Sequence, residues 1–116
     1  MKIELEDKLA EKFPFMADVY CECGDGWYEI IYGLCTDIVN AYEEKGLQID
    51  IDVGQIKEKF ASLRFYFNCC SEIIKDINNL VDKWSLLSEQ TCEECGRPGK
   101  MRTDRSWHQT LCEECL

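Results

Sequence analysis

The most explicit chemistry in the sequence lies near its C-terminal end, in Cys92-Glu93-Glu94-Cys95 and Cys112-Glu113-Glu114-Cys115. Two Cys-x-x-Cys pairs separated by sixteen residues have the spacing at which four thiolates close a tetrahedron around one zinc ion, with Zn–S distances near 2.3 Å. Gly96 supplies the permissive backbone that a knuckle needs just after its second cysteine. Cys92, Cys95, Cys112 and Cys115 fill the coordination sphere, so the expected cofactor is a single structural Zn2+ with no open position for water or substrate. Two disulfides are the competing reading. The chain opens on Met with no secretory leader and no apolar run near the ~20 residues that span a bilayer, so a cytoplasmic, reducing location is expected, which favours metal.

The other candidates for chemistry are thinner. A Cys–His or Ser–His–Asp arrangement needs a histidine placed as base, and the only histidine, His108, lies between the two knuckles beside Trp107. Gly24-Asp25-Gly26 lacks the third glycine and the preceding apolar strand of a dinucleotide-binding turn. The paired acids Glu43-Glu44, Glu93-Glu94 and Glu113-Glu114 flank a helix end and the knuckles, where solvated carboxylates are ordinary. The expectation is therefore a protein that is not an enzyme. Cys21, Cys23, Cys35, Cys69 and Cys70 remain, an odd set that argues against a disulfide framework. A second metal site from Cys21, Cys23, Cys69 and Cys70 is not expected, because a one-residue gap is too short for a knuckle and adjacent cysteines seldom aim both thiolates at one ion.

The net charge of −10 is unevenly spread. Residues 1–90 carry 18 acids and 9 bases, residues 91–116 carry 5 acids and 4 bases. Such a body is repelled by bare phosphate backbones and anionic membranes. Cations outnumber acids only between Arg97 and His108, where Arg97, Lys100, Arg102, Arg105, Trp107 and His108 form the candidate partner surface. Three functions fit: a module that binds a host or viral protein, nucleic-acid binding through the tail, and an acidic mimic of DNA phosphates that occupies a basic partner.

These residues need a scaffold, and the pattern predicts α+β. Ile3 to Phe13 reads as a helix halted by Pro14, with a thin apolar stripe that lies loosely on the body. Phe15 to Gly26 is an irregular connection, and Asp25 is placed to cap the next helix. That helix shows Trp27, Ile30, Ile31, Leu34, Ile38 and Tyr42 on one face and ends before Gly46. Leu47, Ile49, Ile51 and Val53 then alternate as a strand, with Gly54-Gln55 as a bulge that restores the face at Ile56. Lys57 to Ser62 connects it to an antiparallel strand, Leu63 to Phe67, whose Arg64 is expected to reach Asp50 or Asp52. A last helix carries Ile73, Ile77, Leu80, Val81, Trp84 and Leu87. Two main helices covering an antiparallel hairpin give a small two-layer body over residues 1–90, cored by Trp27, Ile31, Leu34, Ile38, Leu63, Phe65, Ile77, Leu80 and Trp84 and independent of the tail. Residues 91–116 form a zinc ribbon, with strands at Lys100–Arg102 and Trp107–Leu111 and a turn at Thr103–Ser106. Trp107 either forms the partner contact or packs the ribbon on the body.

Three segments, Cys23-Gly-Asp-Gly-Trp-Tyr-Glu-Ile-Ile-Tyr-Gly-Leu-Cys35, Gln55-Ile-Lys-Glu-Lys-Phe-Ala-Ser-Leu-Arg-Phe-Tyr66 and the tail from Cys92 to Cys115, resemble a group of small uncharacterised bacterial, prophage and phage-encoded proteins with a C-terminal four-cysteine zinc ribbon. The resemblance implies a zinc-ribbon tail on a small α+β body and carries no activity with it. Members of that group usually have glycine where Ala61 stands, and Cys21, Cys69 and Cys70 lie outside the pattern.

Overall fold

The computed structural model describes residues 1–116 and is α+β. Helix α1 spans Ile3–Lys12, β1 Cys21–Glu22, α2 Tyr28–Lys45, β2 Asp52–Lys59, β3 Ser62–Asn68, α3 Ile74–Ser88, β4 Lys100–Arg102 and β5 Gln109–Leu111. No helix is long and apolar enough to cross a membrane. The 3.6-residue pattern of α2 becomes one face, on which Ile30, Ile31, Leu34, Cys35, Ile38 and Tyr42 are buried, and Gly46 ends the helix at φ 65°. Trp27, Leu34, Ile38, Ile56, Leu63 and Ile77 form the centre of one core that also takes in Leu9 and Phe13. Leu80 and Trp84 pack only on its margin.

The body sheet has the order β1-β2-β3. As the alternation of apolar residues predicts, β2 and β3 pair antiparallel, and the register shifts between Val53 and Gln55, at the glycine bulge. The strand boundaries differ from the sequence reading. Leu47 to Ile51 alternates but does not pair; β2 instead runs on through Lys59 and turns at Phe60-Ala61. Both turn residues have positive φ, 53° and 67°, which describes the tight two-residue hairpin whose twist matches its strands. Alanine in that region costs roughly 1 kcal/mol. Tertiary contacts hold it there: the Ala61 N–H donates to Glu58 Oε2 at 2.8 Å and its carbonyl accepts from Thr110 Oγ1 at 2.8 Å.

Three further expectations are corrected. The connection from Phe15 to Gly26 is not wholly irregular, since β1 lies parallel to β2 with Cys21 opposite Ile56. Helix α1 is docked firmly: Leu9 is fully buried, Phe13 packs edge-on to Tyr32, and Glu6 Oε2 accepts from the Cys21 N–H at 2.6 Å. Arg64 reaches neither Asp50 nor Asp52, because the register sets it opposite Lys57; Asp50 accepts from the Tyr42 hydroxyl at 2.6 Å and from the Cys70 N–H at 3.1 Å. Each outer edge of this sheet is capped at one point by a side chain or terminal group. On β1 the Met1 ammonium donates to the Cys21 carbonyl at 3.0 Å. On β3 the Leu63 N–H donates to Ser88 Oγ at 2.9 Å, while Ser85 Oγ donates to the Leu63 carbonyl at 2.9 Å.

Candidate metal centre

The tail folds around its cysteines. In the first knuckle the Gly96 N–H donates to the Cys92 carbonyl at 2.9 Å and the Cys92 N–H to the Arg97 carbonyl at 2.7 Å, a reversal tight enough to need the φ of 83° that Gly96 adopts. Strands β4 and β5 pair antiparallel, Lys100 opposite Leu111 and Arg102 opposite Gln109. The second strand is shorter than expected, so Trp107 and His108 belong to the loop. A final turn, Glu113–Cys115, brings Cys115 back toward Cys112.

This scaffold gathers Cys92, Cys95, Cys112 and Cys115 so that all four Sγ atoms lie within 4.8 Å of one another. Cys95 Sγ and Cys112 Sγ are 3.6 Å apart, close to the edge of about 3.8 Å for a tetrahedron of sulfurs around an ion at 2.3 Å. Donor set and spacing fit a thiophilic metal ion. The chemistry of Cys92 points the same way. Burial opposes its ionisation, but backbone N–H groups of Cys112, Cys95 and Glu94 outweigh burial and hold the thiol at about 7. Cys115 is pushed up to about 12, first by hydrogen bonding with Cys112 and then by burial. A divalent cation is what allows four such thiols to ionise together.

The site is asymmetric. Cys92 and Cys112 are buried, Cys95 is exposed and Cys115 half-buried. The buried side rests on the body, and the residues that form this seam were not identified from the sequence. The Gly26 N–H donates to the Glu93 carbonyl at 2.7 Å, and the Gly24 N–H to Glu93 Oε2 at 2.9 Å. A side chain at Gly26 would collide with the Cys92 carbonyl, and one at Gly24 with the Glu93 carbonyl. Gly24-Asp25-Gly26 is thus a saddle for the first knuckle. Asp25 does not cap α2; Trp27 occupies the cap without a side-chain hydrogen bond, and Asp25 accepts from the Lys2 N–H at 2.8 Å. Trp27, fully buried in the core, donates its indole N–H to the Thr91 carbonyl at 2.9 Å. Thr110, also fully buried, closes the far side through Ala61.

The candidate partner residues are divided by the structure. Arg97 pairs with Glu114, and Arg102 lies 3.7 Å from Glu113 with its Nε donating to the Leu111 carbonyl at 3.1 Å. Lys100, Arg105, Trp107 and His108 are exposed, Trp107 at 67%. Trp107 therefore does not serve as a buried clasp between tail and body. His108 shares a gap of about 320 Å³ with Glu58, Lys59, Phe60, Ser106 and Trp107.

The remaining thiols sit differently. Burial pushes Cys21 up to about 12, aided by the Glu6 carboxylate, and raises Cys23 and Cys35 as well. They are core side chains. No protein-family model, curated protein or solved structure matches this chain.

Proposed function

We propose that the tail binds one structural zinc ion through Cys92, Cys95, Cys112 and Cys115 and that the chain is a non-catalytic protein-interaction module. The observation that carries the metal reading is the convergence of the four Sγ atoms within 4.8 Å. Among first-row metals, an all-thiolate tetrahedron favours zinc or iron–sulfur chemistry, and zinc needs no added sulfide. A closed four-thiolate shell offers no ligand position to a substrate, which supports a structural role and not hydrolysis. The interaction reading rests on Trp107, an aromatic exposed on the loop between β4 and β5 beside Arg105; Trp and Arg are residue types that dominate binding energy at interfaces. The resemblance of the Cys23–Cys35, Gln55–Tyr66 and tail segments to small bacterial, prophage and phage proteins supports a phage-related origin, for which a host or viral protein is the partner to test.

Nucleic-acid binding through the tail is the second reading, favoured by the same exposed Trp107 with Arg105 and Lys100. It is weakened because Arg97 and Arg102 are engaged by Glu114 and Glu113, and because the body carries most of a −10 charge. Metal analysis and affinity capture from the native host test the first reading; Trp107→Ala should lose the captured protein while keeping its zinc. Binding to random RNA or DNA that falls steeply with salt would favour the second.

A further inference from the structure

Five ion pairs form in this protein, Lys2–Asp25, Lys45–Asp76, Lys83–Asp37, Arg97–Glu114 and Arg102–Glu113. None involves the cations on the outer face of the β2–β3 hairpin. Ile56, Leu63 and Phe65 point into the core, so the intervening Lys57, Lys59 and Arg64 occupy the opposite face. Lys57 lies directly across from Arg64, an arrangement that weakens strand pairing when both are charged. Arg64 Nε is enclosed and has no hydrogen-bond partner. The one acid in this row is Glu22, beside Lys57 in the parallel register; Gln55 donates to its carboxylate at 3.5 Å. A chain with 23 acids thus leaves three neighbouring cations unpaired.

The hairpin tip beside Lys59 is apolar. Phe60, 65% exposed at the turn, and Trp107, 67% exposed on the tail loop, line a single gap of about 320 Å³ with Lys59, Ser106, His108 and one acid, Glu58, whose carboxylate accepts from the Ala61 N–H at 2.8 Å. Large aromatics exposed together beside unpaired cations mark a surface that gains by being covered.

We propose that this face and the adjoining hairpin tip bind a short acidic segment of a partner polypeptide, with carboxylates on Lys57, Lys59 and Arg64 and one large apolar side chain between Phe60 and Trp107. It rests on the reading of the chain as an interaction module and moves the main contact from the tail to the sheet. Charge selects the occupant. Three cations match the few carboxylates of a short peptide, whereas a nucleic-acid strand brings a phosphate with every nucleotide past a molecule of charge −10, and its affinity grows with the number of phosphates neutralised. The gap is at the small end of ligand pockets, which run from roughly 300 Å³ upward, and suits one or two side chains.

The test is selection of a displayed random peptide library on the full, zinc-loaded chain. Enriched peptides should combine two or more Asp or Glu with an aromatic or Leu, and should bind about tenfold or more weakly to the Lys57→Gln/Arg64→Gln double variant and to Phe60→Ala. Because the double variant removes a like-charge pair, its melting temperature should hold or rise, which separates lost contact from lost fold; Lys59→Gln, at an exposed position, gives a second check. Enriched peptides without acids, or binding unaffected by the double variant, would overturn the sheet-face assignment. If binding depends instead on Lys100 and Arg105, the module reading stands and the contact is on the tail. If no peptide is enriched over a control protein, both readings fail.

Discussion

Cys35 and Cys92 are both fully buried, yet their thiols are driven in opposite directions. Around Cys35 burial acts largely alone, with Cys21 adding to it, and the thiol is raised. Around Cys92 three backbone N–H groups are aimed at the sulfur and bring it to about 7. Burial by itself makes cysteine a small apolar side chain. At Cys92 backbone amides from both knuckles, Cys112 in one and Glu94 and Cys95 in the other, reverse that effect. Position sorts the nine cysteines into four that gather at one point, three inside the core, and Cys69 and Cys70 at its margin, a division that a count of thiols could not make.

The largest expected effect tests that division. Cys92→Ser should abolish stoichiometric metal binding and unfold the tail, since structural zinc contributes roughly 10–16 kcal/mol of apparent binding energy in small metal-folded units. Cys35→Ala should keep all of the metal and lose only about 1 kcal/mol in denaturant unfolding. Loss of metal from Cys35→Ala would break the comparison. Next is Gly26→Ala, which forces a side chain against the Cys92 carbonyl; a destabilisation of about 3 kcal/mol is expected, with weaker metal affinity measured by competition with a chelator. Thr110→Val leaves the Ala61 carbonyl without its buried donor and should lower unfolding free energy by about 1–3 kcal/mol, with metal content unchanged.

The smallest effect is a pH dependence. Asp50 is held below its ordinary value of 3.8, chiefly by the Tyr42 hydroxyl. A carboxylate lowered by folding stabilises the fold above its unfolded value, and that contribution disappears as pH falls through the lowered value. The stability difference between wild type and Asp50→Asn should therefore be full near neutrality and shrink as pH falls below the ordinary value of 3.8. A difference that grows with acid would contradict the assignment.

Some of this was legible from residue order alone. The cysteine spacing named the four converging sulfurs, the period of α2 named its buried face, and Gly54 marked the bulge. The hairpin turn was missed because Phe60 and Ala61 are not turn residues by type; they adopt positive φ only because Glu58 and Thr110 hold Ala61 there. Leu47 to Ile51 has a strand's alternation but no partner, and Ile49 is 45% exposed. Pairing decides strands, and alternation only permits them. The saddle at Gly24 and Gly26 left a signal that local rules could not decode, since two glycines around Asp25 suit a turn as well as a close approach by a distant backbone. Its partner, Glu93, lies 69 residues away. For the same reason the tail looked separable from the body, although the core residue Trp27 donates its indole N–H to the tail at Thr91. Chelation should accordingly disturb the near-ultraviolet signal of Trp27 and lower the melting temperature of the body.

The central claim is that the four tail cysteines, and none of the others, form one metal site. Native mass spectrometry of the protein purified without chelator tests it most directly. The account requires one zinc per chain, lost in Cys92→Ser and retained in a variant with Cys21, Cys23, Cys35, Cys69 and Cys70 replaced by Ala. A chain without zinc, a second equivalent of metal, or a disulfide between tail cysteines would contradict it.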